Sequence, residues 1–310
     1  MTGHVAATVA VLIWASYPVA TRAGVTGAFA AFDLITLRFG VGAVLFLPFL
    51  LVRFRGISPS AWLRGVPLAL LQGIGMATLV ICGLQFAPAA HAAALVPGVS
   101  PAWVALLGFV FYGKRPPRRV VAGSALCVAG AALLAWWNTA ERNAAVLAGD
   151  AMFLAASALG AAYVLGLRDW RVGPVQAAAI VSVYSAFAVV PWGLGASSSL
   201  WTAEAADFWW QVLWQGLLIG CVAFVALNHA ISRLGPERST ALVAFVPVLT
   251  ALLGMLFLKE IPSLPEFAAL AAVSAGVAIC SAGFRPADQP SSMPQQNVRH
   301  ADFPGPGSGP

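Results

Sequence analysis

Residues 101–116, PAWVALLGFVFYGKRP, return as residues 247–262, PVLTALLGMLFLKEIP. A shift of 146 positions lays one on the other and leaves the shared pattern P-x3-A-L-L-G-x2-F-x4-P. Alanine and leucine match cheaply in an apolar chain, but prolines, a glycine and a phenylalanine at fixed separations do not. The same shift pairs Tyr17 with Tyr163, Arg22 with Arg168 and Gly130 with Gly276. The chain therefore reads as an internal duplication, with one copy in residues 1–140 and the other in 147–284.

Working outward from that motif, the composition names the solvent. Of 310 residues, 60% are hydrophobic and 9% charged, against roughly a quarter charged in a soluble domain. The mean hydropathy is +0.85. Apolar runs near twenty residues recur, and in hydrocarbon such runs satisfy their backbone only as helices. Alternating ten-residue strands of a membrane barrel are not seen. Breaks at charged, proline and glycine residues predict helices at 5–21, 32–52, 65–86, 91–112, 120–137, 147–167, 174–194, 212–232, 239–258 and 264–284. The first begins almost at Met1 without a basic flank or cleavage pattern, so it is expected to be a retained helix. Residues 285–310 are rich in Pro, Gly, Ser and Gln and are expected to form a disordered cytoplasmic tail.

The cations orient this array, because basic residues in short loops stay on the cytoplasmic side. With the N-terminus inside, the inner loops and tail hold Arg53, Arg55, Arg64, Lys114, Arg115, Arg118, Arg119, Arg168, Arg171, Arg233, Arg238, Arg285 and Arg299. The outer loops hold Arg22, Arg142 and Lys259, and Arg38 lies within a helix. One extra or missing helix would scramble this division. The expectation is an all-α integral membrane protein of the bacterial inner membrane, with both termini cytoplasmic. Five helices per copy is an odd number, so the second copy enters the bilayer upside down. Two inverted five-helix repeats around a central cavity are a construction of secondary transporters.

The fourth and ninth helices, with P-x3-ALLG-x2-F followed by a charged, proline-containing turn, resemble the drug/metabolite transporter superfamily of EamA type. Glu260, in the turn Leu258-Lys259-Glu260-Ile261-Pro262, stands at that family's acidic place, whereas the first copy has Lys114 there. Arg38, in Leu37-Arg38-Phe39, also matches a family position. The resemblance spans residues 1 to about 284 and implies a ten-helix basket with a central cavity. It further implies export or exchange of small metabolites by alternating access, with aromatic or neutral amino acids the nearest substrates and other small molecules or drugs the alternative.

Several residues could line such a cavity. Arg38 sits about two turns inside its helix, where a charge is costly unless it faces protein, water or a partner. It reads either as a dock for a substrate carboxylate, or as a structural cation paired with Asp33 or snorkelling outward. Trp14, Tyr17 and Pro18 cluster mid-helix, with Tyr163 repeating Tyr17; they suit a cavity wall or plain packing. Pro101 and Pro247 are expected to kink their helices and free a carbonyl each. Gln72 and Met76 share a face of the third helix, as do Ser100 and Trp103 of the fourth. Asn228, His229 and Tyr184 are polar at membrane depth and read as substrate contacts or interhelical hydrogen bonds. His91 reads as an interfacial residue.

Other chemistries lack their residues. Cys82, Cys127, Cys221 and Cys280 lie in apolar segments without CxxC spacing, which argues against a disulfide framework or zinc site. No H-E-x-x-H, G-x-S-x-G, P-loop or dinucleotide signature occurs, so no ATP-driven pump and no cofactor are expected, and a passive channel or an intramembrane enzyme stays a distant alternative. The net charge of +6 is spread over loops and not gathered on one nucleic-acid-binding face. The expected partners are a small-molecule substrate and the lipid bilayer, with the oligomeric state left open and a monomer compatible with the reading. Asp33, Asp150 and Glu260 all fall near outer helix ends, which favours facilitated or exchange transport over coupling through a mid-membrane carboxylate.

Overall fold

The structure is a computed structural model that describes residues 2–53, 56–140, 143–170, 174–195, 198–223, 226, 229–230, 233 and 244–282. Among them the secondary structure is helical, with no strand. In chain order the helices are α1 (Gly3–Thr26), α2 (Ala31–Arg53), α3 (Pro59–Phe86), α4 (Ala89–Tyr112), α5 (Arg118–Ala140), α6 (Ala144–Trp170), α7 (Pro174–Gly193), α8 (Ala205–Gln211 running on through Val212–Val222), α9 (Val246–Leu258) and α10 (Leu264–Ser281). Seven of these, α1 to α6 and α10, are long and apolar enough to cross a membrane, and Val175–Pro191 and Val246–Leu258 are shorter apolar helices. The outer surface carries side chains that water would not tolerate in such number: Val44, Phe111, Phe187 and Leu256 are 70 to 77% exposed. The chain is a multi-pass membrane protein.

Local chemistry sets the helix ends. Ser58 caps α3 ahead of Pro59, where the missing N–H costs no helical bond. Ser263 and Glu266 form a reciprocal capping box at α10. Most helices run past their predicted limits; α1, for instance, extends to Thr26 and α3 starts at Pro59, because the polar ends of a span stay helical wherever caps satisfy the backbone. Pro247 departs from expectation. It occupies the first turn of α9 as described, a position tolerant of proline, and so frees no carbonyl within that helix.

The duplication is legible in the backbone. A π-helical stretch, Ala69–Gly75, lies in α3, and a second, Val212–Val222, covers the equivalent positions of α8. Gly113 ends α4 in the left-handed conformation at φ 65°, and Lys259, its equivalent, ends α9 the same way at φ 57°. Packing follows suit. Exchanging each helix with the one five places along maps the observed pairs α5–α10 and α2–α7 onto themselves, α4–α6 onto α1–α9, α3–α6 onto α1–α8, and α3–α7 onto α2–α8.

Small residues and backbone hydrogen bonds hold these pairs, as expected where lipid offers no hydrophobic contrast. At the α5–α10 crossing a Cβ on Gly276 would lie 2.5 Å from Cys127 Sγ and 2.7 Å from the Gly123 carbonyl. Thr250 of α9 donates to the Ala15 carbonyl of α1 at 2.8 Å, and Ser157 of α6 to the Val96 carbonyl of α4 at 2.7 Å. Gln211 and Gln215 of α8, both buried, donate to the Ala20 carbonyl at 2.9 Å and to Thr21 Oγ1 at 3.0 Å on α1.

Candidate functional site

A cavity of about 370 Å³ lies where the two copies meet, a volume suited to a small metabolite. The first copy lines it with Trp14, Tyr17 and Pro18 of α1, Arg38 of α2, Gln72, Met76, Ala77 and Val80 of α3, and Ala92, Ala93, Val96, Pro97 and Ser100 of α4. The second copy adds Ser157, Gly160 and Val164 of α6, Ile219 of α8 and Val246 of α9. Gly160 matters by its missing side chain, since a Cβ there would lie 3.2 Å from Met76 Sδ.

Arg38 is the cation of this wall. Its guanidinium donates to the Tyr17 hydroxyl and lies over the Tyr17 ring, 5.1 Å from its centroid. Among the described residues it forms no ion pair with a carboxylate. Asp33, offered above as a partner, is instead buried at the start of α2. It accepts from Ser198 Oγ at 2.7 Å, from the Ser199 N–H at 3.1 Å and from the Ser199 hydroxyl. That arrangement satisfies the carboxylate locally and leaves Arg38 facing the cavity with a phenol and an aromatic face.

Prolines also shape the helices of the wall. Pro18, Pro97 and Pro101 lie inside helices, and each removes the N–H that would bond the carbonyl four residues earlier. Those carbonyls belong to Trp14, Ala93 and Pro97, all of which line the cavity.

Of the residues singled out in the sequence, Trp14, Tyr17, Arg38, Gln72, Met76 and Ser100 are brought together here. Others lie elsewhere. Pro101, within α4, is not among the lining residues. Trp103 packs into the core around Leu95, Leu134 and Phe153, with its indole N–H buried and unpartnered among the described residues. Tyr163 packs with Leu68, Ala177 and Val181, so the Tyr17–Tyr163 symmetry of the sequence is not a symmetry of the cavity. Tyr184 donates to the Trp62 carbonyl at 3.2 Å and packs against its ring. Pro247 is buried next to the wall residue Val246. Asn228 lies outside the described residues.

One end of the bundle carries two polar networks that periodicity did not reveal. Arg22 of α1 pairs with Glu260 of the α9–α10 turn and donates to the Leu84 and Ala87 carbonyls at 2.5 and 2.8 Å. Glu260 in turn accepts from the Ala89 N–H at 3.0 Å. Beside it His91, read as interfacial in the sequence, is 2% exposed and bonded to Asp150. Its partners come from two other helices, Asp150 of α6 and Glu266 of α10, so no local pattern could have shown its burial.

A multi-pass helical bundle with a mixed polar and apolar central cavity defines the class. The chain belongs to the EamA-like transporter family, whose profile matches residues 1–136 and again 147–282. It is 27% identical over 215 residues to a protein of Streptantibioticus cattleyicolor described as a probable terminal-alkyne amino-acid exporter, covering 64% of this chain and 67% of that one. A solved crystal structure shares the fold at a TM-score of 0.59 and 22% identity, covering 90% of this chain and 96% of the other.

Proposed function

We propose that this chain is a secondary transporter of the bacterial inner membrane that exports or exchanges small metabolites, most specifically amino acids of aromatic or neutral type. The carrying observation is Arg38: a guanidinium without a carboxylate partner among the described residues, set in a largely apolar cavity between the two copies. An amino acid answers each feature. Its carboxylate fits the guanidinium fork, its ammonium can donate to the carbonyls of Trp14, Ala93 and Pro97, and its side chain can lie on Trp14, Tyr17 and Met76. The name of the Streptantibioticus relative supports the same class. Lipophilic cations, the drug-export alternative, would meet a like charge at Arg38.

The mechanism in this reading is alternating access between two inverted five-helix copies. The exchange symmetry of helix pairs, the matched π-helical stretches and the matched left-handed helix ends support it. With both termini inside, the Arg22–Glu260 end is the outer end, and this conformation is closed outward. The inner equivalents of Arg22 and Glu260 are Arg168 and Lys114, two cations that cannot form the same latch, which favours outward closure at rest.

The test is a thermal-shift screen of the purified chain against amino acids, nucleosides, sugars and cationic drugs, since a ligand of the native state raises its stability by mass action. Stabilisation by an amino acid, followed by saturable counterflow in vesicles, is expected. Stabilisation by cationic drugs alone, or flux without saturation, would contradict the proposal.

A further inference from the structure

Helices α4, α5, α6 and α10 bury a titratable cluster at the end that carries Arg22 and Glu260. His91 is 2%, Asp150 3% and Asn138 4% exposed. Both imidazole nitrogens face carboxylate oxygens: Nδ1 is 2.9 Å from Asp150 Oδ1, and Nε2 is 3.4 Å from Glu266 Oε1. The second oxygen of each acid is already engaged. Asp150 Oδ2 accepts from Asn138 Nδ2 at 2.9 Å, while Glu266 Oε2 accepts from the Ser263 N–H at 2.7 Å and from its hydroxyl at 2.8 Å.

A neutral imidazole has one N–H and one lone pair. Between two ionised carboxylates it would aim that lone pair at an anion, and with the ring itself buried little water is there to ease the contact. The contact becomes attractive on both sides once the cluster holds one further proton, as an imidazolium donating to both acids or as a neutral ring beside one protonated acid. The remaining charges nearby do not supply this proton's place. Asp150 comes from α6, Glu266 from α10 and the neutral Asn138 from α5. Glu260 of the α9–α10 turn reaches α4 through Ala89 but is matched by Arg22 of α1, and α3 contributes carbonyls.

We propose that His91, Asp150 and Glu266 form a proton-binding site that is occupied while this end of the bundle is closed and empties when α6 and α10 draw apart around α4. The proposal rests on the alternating-access reading above. On opening, the imidazole enters water, where it is half-protonated near pH ~6.5. Above that pH, opening sheds the proton, so alkaline medium favours the open end and acid the closed one. The exchange is with the outer medium, which makes the site a sensor of external pH rather than a path for proton flow.

The experiment uses the full chain in nanodiscs, with Cys82 and Cys221 changed to Ala. Spin labels go on cysteines replacing Asn143 and Leu264, both exposed at this end. Pulsed electron resonance then measures their separation from pH 5.5 to 8.5. The ratio of separated to closed populations is expected to rise with pH, approaching tenfold per unit, and to become flat with His91→Gln or Glu266→Gln, the latter keeping the helix cap. A ratio that does not change with pH in the parent, or that changes equally in both variants, overturns the proposal, even where the variants lower stability. Thermal shifts with an amino acid on the same samples separate the two readings. Ligand stabilisation with a flat pH response sinks only the proton site, whereas a pH response without ligand stabilisation supports the site and removes the substrate assignment.

Discussion

At the residue scale Arg38 is the decisive side chain of the cavity. A charge in an apolar helix is conspicuous in any sequence, and its cost in the membrane marks it for a role. What the sequence left open was its partner, because Asp33 lies five residues away and only the structure shows Ser198 and Ser199 claiming that acid. Losing a charged hydrogen bond costs about 1.5–3 kcal/mol. Arg38→Gln should therefore weaken amino-acid binding about tenfold or more, while binding of the corresponding amino-acid amide changes little. Calorimetric titration of both ligands against both proteins checks this. Arg38→Lys should recover only part of the loss, since an ammonium lacks the planar fork. His91 shows the opposite case: its surroundings come from α5, α6 and α10, so nothing within its own stretch announced its burial.

At the element scale the repeat was readable because duplication preserves prolines, glycines and aromatic positions, and these stand out against an Ala- and Leu-rich background. Helix ends were less readable, since a hydropathy break marks the edge of hydrocarbon and not the end of hydrogen bonding. The left-handed cap that Gly113 supplies in the first copy falls to Lys259 in the second, where a side chain costs about 1 kcal/mol. Lys259→Gly should raise the apparent Tm of the purified protein. The α5–α10 crossing predicts the reverse. Gly276→Val must push against Cys127 and Gly123 and should destabilise by about 1–3 kcal/mol. Gly108→Ala, with open space around the added methyl, should be neutral or stabilising.

At the scale of the whole molecule, closure of one end depends on a few long-range polar links. Arg22→Gln should loosen that end, leaving the Leu84 and Ala87 carbonyls and Glu260 without their donor. In the spin-label experiment above, the separated population should rise at every pH; an unchanged distribution would show that the pair does not latch the bundle. The topology has its own check: reporters fused to either terminus should both register the cytoplasm, and a split result would break the inverted arrangement. The solvent, the family and the charges that cannot face lipid were legible in the residues alone, because each follows from local composition, a motif or the cost of placing a residue in hydrocarbon. Which of the duplicated residues meet at the cavity was decided only by tertiary structure. Tyr17 faces it and Tyr163 is packed against Leu68, Ala177 and Val181, because the side chains a residue meets come from other helices and a shared sequence position carries no record of them.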